Sequence, residues 1–356
     1  MIFAVLAMGC LLSTVQAGGQ AAPTLRHAES FLERQEYQQA ETELLALSAS
    51  QAADPQMWFD LGFAESHLNK NVEAIAAYRK AVGLSPKWFE ANLNLGLALA
   101  TAGNSAEAAD FLRKAVQLKP TTGGAAAAAN AWFALGQVLE ESEPKEALNA
   151  YQKAAELAPS DARTILATAN LLAKSGDNAG AEVLYLKLTE TGSDDATEGL
   201  ISLYLKEKRL SDAETWLRKY LVKNPQSVPA QAQLGRVLAA QGKVKEALAL
   251  LEAVPNAATD PALERQLADL YMLDKQYEPA AKLYQDLLLR SPRDAELHWN
   301  RGSALLHQHK YPDAQEELLK AVQLKPSLRD AYYELAYAAQ QNKQYELAIR
   351  ALEARA

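Results

Sequence analysis

Apolar positions recur along most of the chain in pairs of helix-spaced stripes. Between residues 55 and 88, Trp58, Leu61, Gly62 and Glu65 stand at i, i+3, i+4 and i+7. After Asn69-Lys70-Asn71, the residues Ala74, Tyr78 and Ala81 stand at i, i+4 and i+7. Each set lies along one face of an α-helix, so the spacing predicts two helices joined by a tight turn. Pro86 cannot continue the second helix and disfavours helical geometry in the residue before it. Gly62 has no side chain to hold the helices apart and Ala74 is nearly as small. The pair is therefore expected to approach closely, with Trp58 and Tyr78 filling the space beside the contact.

The pattern repeats. "KAVQLKP" occurs at Lys114–Pro120 and again at Lys320–Pro326, with looser copies at Lys80–Pro86 and Lys153–Pro159. Pro86 and Pro120 are 34 residues apart, as are Ala280, Ala314 and Ala348. A fixed period in this range is the signature of stacked supersecondary units. Ten units follow, at about 21–54, 55–88, 89–122, 129–161, 162–193, 194–227, 228–260, 261–294, 295–328 and 329–356. Once the single residue lost from the fourth unit's turn near Ser142 is allowed for, the twentieth position of every unit is alanine, from Ala40 to Ala348. The eighth is Gly or Ala in all but the sixth, which has Ile201. "NSAE" (Asn104–Glu107) and "SDAE" (Ser211–Glu214) fit a capping box at the start of the second helix.

This arrangement of Trp, Leu and Gly, then Ala, Tyr, Ala and Pro, resembles the tetratricopeptide repeat (TPR) family over nearly the whole chain. The resemblance implies an all-α solenoid, a right-handed superhelix of about ten helix-turn-helix repeats. It also implies that the first helices line a concave groove that holds partner segments, through the second, fifth, ninth and twelfth positions of each unit. Read that way, Phe59, Phe63, Leu93, Leu97 and Phe133 form an exposed apolar stripe, with a fold-over by the first unit or the leader as the alternative. Arg163, Asn170, Asp195, Glu198, Arg236, Arg265 and Asp269 form a polar middle. Trp299, Tyr333 and Tyr337 restore an aromatic surface at the far end. The carboxylate clamp of chaperone-binding TPR domains is not matched. Asn94 and Asn300 suit its middle position, but Phe59, Phe63 and Asp269 stand where its basic and amide partners belong, and Asp330 and Glu334 oppose a carboxylate.

The irregular units predict local departures. Thr191-Gly192-Ser193-Asp194-Asp195 replaces the usual helix-ending proline, so a hinge at 191–195 is expected, dividing units one to five (18–193) from units six to ten (194–356). The insert Gly123–Asn130 is expected to break at its glycines and then lengthen the next helix by about two turns. Without a capping helix after the last unit, Tyr345, Ile349 and Leu352 are expected to stack on another copy of the chain or on a partner, with fraying of Glu353-Ala354-Arg355-Ala356 as the alternative.

Composition narrows the function. The net charge of −8 argues against non-specific nucleic-acid binding, which needs a basic face. Cys10 is the sole cysteine and lies within the apolar run Ile2–Leu12. With Val15-Gln16-Ala17 as a small-residue cleavage site, residues 1–17 read as a signal peptide, implying export to a periplasm or to the exterior. The run is too short to span a bilayer. A lipoprotein anchor at Cys10 and a buried first helix are the alternatives. No HExxH, phosphate-binding loop or GxSxG turn occurs. His298 occupies a core position, His307 and His309 belong to a helix end, and Glu140, Glu141 and Glu143 read as a solvated face. The expectation is therefore a protein without catalytic, metal or cofactor sites: an interaction scaffold for other proteins in an envelope assembly or secretion process. An enzyme-associated solenoid, for example a glycan-handling one, and a self-assembling oligomer joined through the last repeat are the alternatives.

Overall fold

The structure, a computed structural model, describes residues 24–255, 257 and 260–355. The signal-peptide reading and Cys10 lie outside the described residues. Twenty helices and no strand occur among them, in ten consecutive pairs. In order, α1 and α2 are Leu25–Glu33 and Tyr37–Leu47, α3 and α4 are Pro55–His67 and Asn71–Leu84, and α5 and α6 are Phe89–Thr101 and Ser105–Val116. Next come α7 and α8 (Gly124–Leu139, Pro144–Leu157), α9 and α10 (Ala162–Ser175, Asn178–Glu190), and α11 and α12 (Asp194–Lys206, Leu210–Lys223). The series closes with α13 and α14 (Val228–Ala240, Val244–Glu252), α15 and α16 (Pro261–Leu273, Tyr277–Arg290), α17 and α18 (Ala295–His307, Tyr311–Leu324), and α19 and α20 (Arg329–Gln341, Tyr345–Arg355). The chain is an all-α solenoid of helix-turn-helix units, divided into two compact parts, one reaching to Gly199 and one starting at Leu200.

The small-residue rule explains the pairs whose eighth residue is glycine. A Cβ on Gly62 would lie 2.8 Å from the Tyr78 ring, one on Gly96 2.7 Å from Leu112, and one on Gly136 2.5 Å from Tyr151. Gly235 faces Leu251 and Gly302 faces Leu318 in the same way. The eighth position is thus a socket for the large side chain at position 24 of the same unit. Every alanine at position 20, Ala348 apart, is fully buried. The turn between the paired helices has its own signature. Its fifteenth-position residue adopts positive φ in nine units: Gln35, Asn69, Lys208, Lys275, His309 and Lys343, and the glycines 103, 176 and 242. The fourth unit, whose turn is one residue short, instead has Glu143 at φ −139°.

Four first helices start where a carboxylate accepts their free N–H groups. Asp54, Asp161, Asp260 and Asp294 each cap one, and proline follows directly at Pro55 and Pro261. The capping boxes expected for second helices do not form. Asn104 makes no side-chain cap bond, and Glu107 pairs with Arg79 instead. Helix α12 begins at Leu210, which places Ser211 inside it, and Glu214 is drawn to Arg218 and Lys243. Charged side chains outcompete the local backbone for the glutamate in both cases. The insert does break at glycine, with Gly123 and Gly124 at φ 71° and 51°. It lengthens α7 to 16 residues against 13 in α5, closer to one turn than two.

Candidate protein-binding surface

First helices of successive units touch one another: α1 with α3, α3 with α5 and α5 with α7 in the first part, α13 with α15 and α17 with α19 in the second. They therefore form the inner face of each part.

In the first part this face is closed where an open apolar stripe was expected. Phe59, Phe63 and Leu93 are 4%, 2% and 1% exposed, and they belong to the core. The Phe59 ring lies 4.6 Å from Trp88 and 5.7 Å from Tyr78. Phe63 meets Tyr37 of the first unit at 6.2 Å and His67 at 4.3 Å, and Tyr37 stacks on His67. Tyr37 of the first unit thus packs on Phe63, while Phe59 is covered by residues of its own unit. Leu97 and Phe133 are half-buried, with the Arg163 guanidinium 5.3 Å above the Phe133 ring. Arg163 is further engaged by Asp161 and Asn130.

Glu90 is also misplaced by its register. It occupies the second position of its unit, one of the lining positions, yet it is 1% exposed and holds the two residues that precede the insert. Its Oε1 accepts bonds from the Thr121 N–H (2.8 Å), the Thr121 hydroxyl (2.7 Å) and the Thr122 N–H (3.1 Å). Glu90→Gln weakens three charge-assisted bonds without emptying the site. A local loss of about 1.4 kcal/mol is expected, read as about tenfold faster amide exchange at Thr121 and Thr122. Unchanged exchange there would show that Glu90 does not pin the turn.

The second part has the more open surface. Trp299 is half-buried, while Tyr333 and Tyr337 are 56% and 42% exposed on α19. Tyr337 meets Tyr311 edge-on at 6.4 Å. Between them in sequence, Glu334 is half-buried, and this partial burial pushes its carboxyl up to about 7, the Ser303 hydroxyl and Trp299 opposing the shift. Further toward the N-terminus the face is polar. Arg265 pairs with Glu296 (3.1 Å) and Asp294 (3.6 Å), and Lys325 reaches Glu296 (2.9 Å). Two cavities of about 300 and 360 Å³ open beside Arg236.

A recurring feature was not anticipated. The tyrosine at position 24 fills the socket and its hydroxyl emerges beside a polar residue of the inner face. Tyr185 bonds Asn170 and Tyr284 bonds Asp269, both at 2.6 Å, and Tyr151 bonds Glu140. Burial is the main cause pushing all three hydroxyls above the ordinary tyrosine range. They stay protonated as donors and fix the rotamers of groove residues. The signal was present in the sequence as Tyr at position 24 with Asn, Asp or Glu at position 9 or 12.

The histidines are structural. His298 is buried, with Nδ1 2.6 Å from Glu317 and Nε2 3.1 Å from the Pro292 carbonyl. His307 stacks on Tyr277, and His309 sits in the positive-φ turn beside the Tyr311 hydroxyl. No group of three or more metal-ligating side chains occurs among the described residues, and no described helix is long and apolar enough to cross a membrane.

Two models described as tetratricopeptide repeat match the chain, one over residues 25–87, 89–122, 166–228 and 265–328 and the other over 204–265. The rice (Oryza sativa subsp. japonica) "Protein SGT1 homolog" is 35% identical over 81 residues, which is 23% of this chain and 22% of that protein. The matched segment thus spans under a quarter of that relative. Among solved structures, PilW, titled a widely conserved type IV pilus biogenesis factor, is 18% identical with a TM-score of 0.48, covering 59% of this chain and 96% of its own. MamA from Desulfovibrio magneticus RS-1 is 21% identical with a TM-score of 0.43, covering 48% of this chain and 94% of its own.

Proposed function

The chain belongs to the tetratricopeptide-repeat family, and from that premise we propose that it is a non-enzymatic scaffold that holds segments of partner proteins on its inner face. The exposed pair Tyr333 and Tyr337, projecting from α19, carries this reading. Large aromatic rings lose little entropy when fixed and dominate the energy of many interfaces. In this reading partners engage the aromatic end and the polar middle of the second part, and the closed N-terminal stripe serves packing. The apolar run Ile2–Leu12, followed by Val15-Gln16-Ala17, supports placing the mature chain outside the cytoplasm, in an envelope assembly or secretion process.

The test is capture from a native envelope extract by the immobilised chain and by a Tyr333→Ser, Tyr337→Ser variant. A partner retained by the first and reduced about tenfold or more by the second is expected, since two interface tyrosines together are worth well over 1.4 kcal/mol. Equal retention by both would show that binding does not use this face. N-terminal sequencing of the exported chain should begin at Gly18; an intact Met1 would remove the export reading.

A further inference from the structure

The two cavities of the second part share one residue. The first, about 300 Å³, is walled by Arg236, Arg265, Asp269 and the apolar Ala239, Leu270 and Leu273. The second, about 360 Å³, is walled by Leu205, Leu210, Gln233, Arg236 and Val237. Arg236 is exposed between them, and no hydrogen bond or ion pair among the described residues engages it.

The other charges of the wall are committed. Arg265 is held by Asp294 and Glu296. Asp269 accepts the Tyr284 hydroxyl at 2.6 Å and makes no ion pair with Arg236. Gln266 donates to the Ala232 carbonyl at 2.8 Å, which ties α15 to α13 and holds the wall in place. The result is a free guanidinium between two partly enclosed, mainly apolar hollows.

We propose that Arg236 receives a carboxylate from a partner segment, with apolar side chains that neighbour that carboxylate entering the cavities beside it. The proposal rests on the inner-face reading above and adds the chemistry of the partner. A guanidinium offers parallel N–H donors that match a carboxylate in a bidentate pair. Partial enclosure strengthens that pair relative to open water. One uncommitted guanidinium, with Asp269 on the same wall, suits a single negative charge better than a doubly charged phosphate. An Asp or Glu side chain and a chain-terminal carboxylate present the same group, and the experiment separates them.

The probes are acetyl-Leu-Glu-Leu-amide, its Gln counterpart, acetyl-Leu-Ala-Leu with a free carboxylate, and inorganic phosphate. They are titrated into the full chain while the arginine Nε–Hε resonances are followed, the Arg236 signal being assigned by its loss in Arg236→Lys. Arg293, exposed in a turn away from both cavities and likewise unengaged, is the internal reference. The expected result is that Arg236 saturates at a concentration about tenfold lower than Arg293 with the Glu peptide, the free-carboxylate peptide or both. Which of those two is tighter identifies the source. The Gln peptide should leave Arg236 unmoved, and Arg236→Ala should abolish the site.

An Arg236 response no stronger than that of Arg293 overturns the proposal. So does equal binding of the Gln peptide, or phosphate binding tighter than both carboxylates. Failure here is distinguishable from failure of the scaffold reading. Capture that depends on Tyr333 and Tyr337 while Arg236 is silent removes only this subsite. Capture indifferent to those tyrosines removes the inner-face reading itself.

Discussion

Gly136→Val is expected to destabilise the fourth unit by about 3 kcal/mol or more, at the upper end of overpacking costs. The Cβ alone would lie 2.5 and 2.6 Å from two ring carbons of Tyr151 and 3.0 Å from a third. The ring has nowhere to go. It is fully buried, its hydroxyl is tied to Glu140, and Phe133 stands 5.7 Å away. Helix propensity works the other way, since glycine is the poorer helix former, but by only about 0.5 kcal/mol, so the clash decides the sign. Tyr151→Ala alone should cost about 4 kcal/mol through the emptied socket. In that background Gly136→Val should be nearly neutral, because the new side chain enters space the ring has left. A double-mutant cycle should therefore show coupling of about 3 kcal/mol. Because repeat arrays need not unfold in one step, amide exchange in α7 and α8 is the proper readout. Additive single-mutant effects would show that the eighth and twenty-fourth positions are not one packing unit.

That pairing also explains why the fold was legible. A socket and the side chain that fills it lie in the same unit, so a 34-residue window contains the whole contact. Gly62 with Tyr78 or Gly302 with Leu318 can be read without knowing the neighbours. The open or closed state of the inner face has no such local rule. Phe59 and Phe63 occupy lining positions, but Tyr37 comes from the preceding unit and Trp88 stands at the border of the next. Glu90 has lining register too, and it is consumed by Thr121 and Thr122, which adjoin an insert absent from other units. The second helices failed their capping boxes for a related reason: Arg79 of α4 and Lys243 of the turn before α14, each from a different unit than the glutamate it reaches, redirect Glu107 and Glu214. Residues whose partners come from another unit, as for Phe63, Glu107 and Glu214, or from the far border of the same unit, as for Phe59 and Glu90, are the ones whose surroundings a period alone does not supply.

Asp60 is the second such residue with a large expected effect. It lies on α3 at 5% exposure, its Oδ1 accepting from Gln56 at 2.8 Å and its Oδ2 without a protein partner. Burial, opposed by Gln56 and aided by Glu29 of α1 and by Asp54, raises its carboxyl from 3.8 to about 8. The sign follows from linkage. Below about pH 4 both folded and unfolded chains carry the proton and Asp60 costs nothing extra. Between about pH 4 and 8 the unfolded chain releases it while the folded chain keeps it, so stability falls by up to about 1.4 kcal/mol per pH unit. Above about 8 both states are ionised and the cost is constant. Asp60→Asn removes that titration while keeping an acceptor for Gln56. The variant should gain on the wild type as pH rises, by about 3 kcal/mol more at pH 8 than at pH 5. Glu29 and Glu65, whose carboxyls are also raised by burial, titrate in both proteins and leave the difference to Asp60. Amide exchange in α1 and α3 at the two pH values, corrected for intrinsic rates, measures it. A gain of equal size at both would mean that Asp60 is already ionised in the folded chain, and that the contact between α1 and α3 tolerates a buried charge.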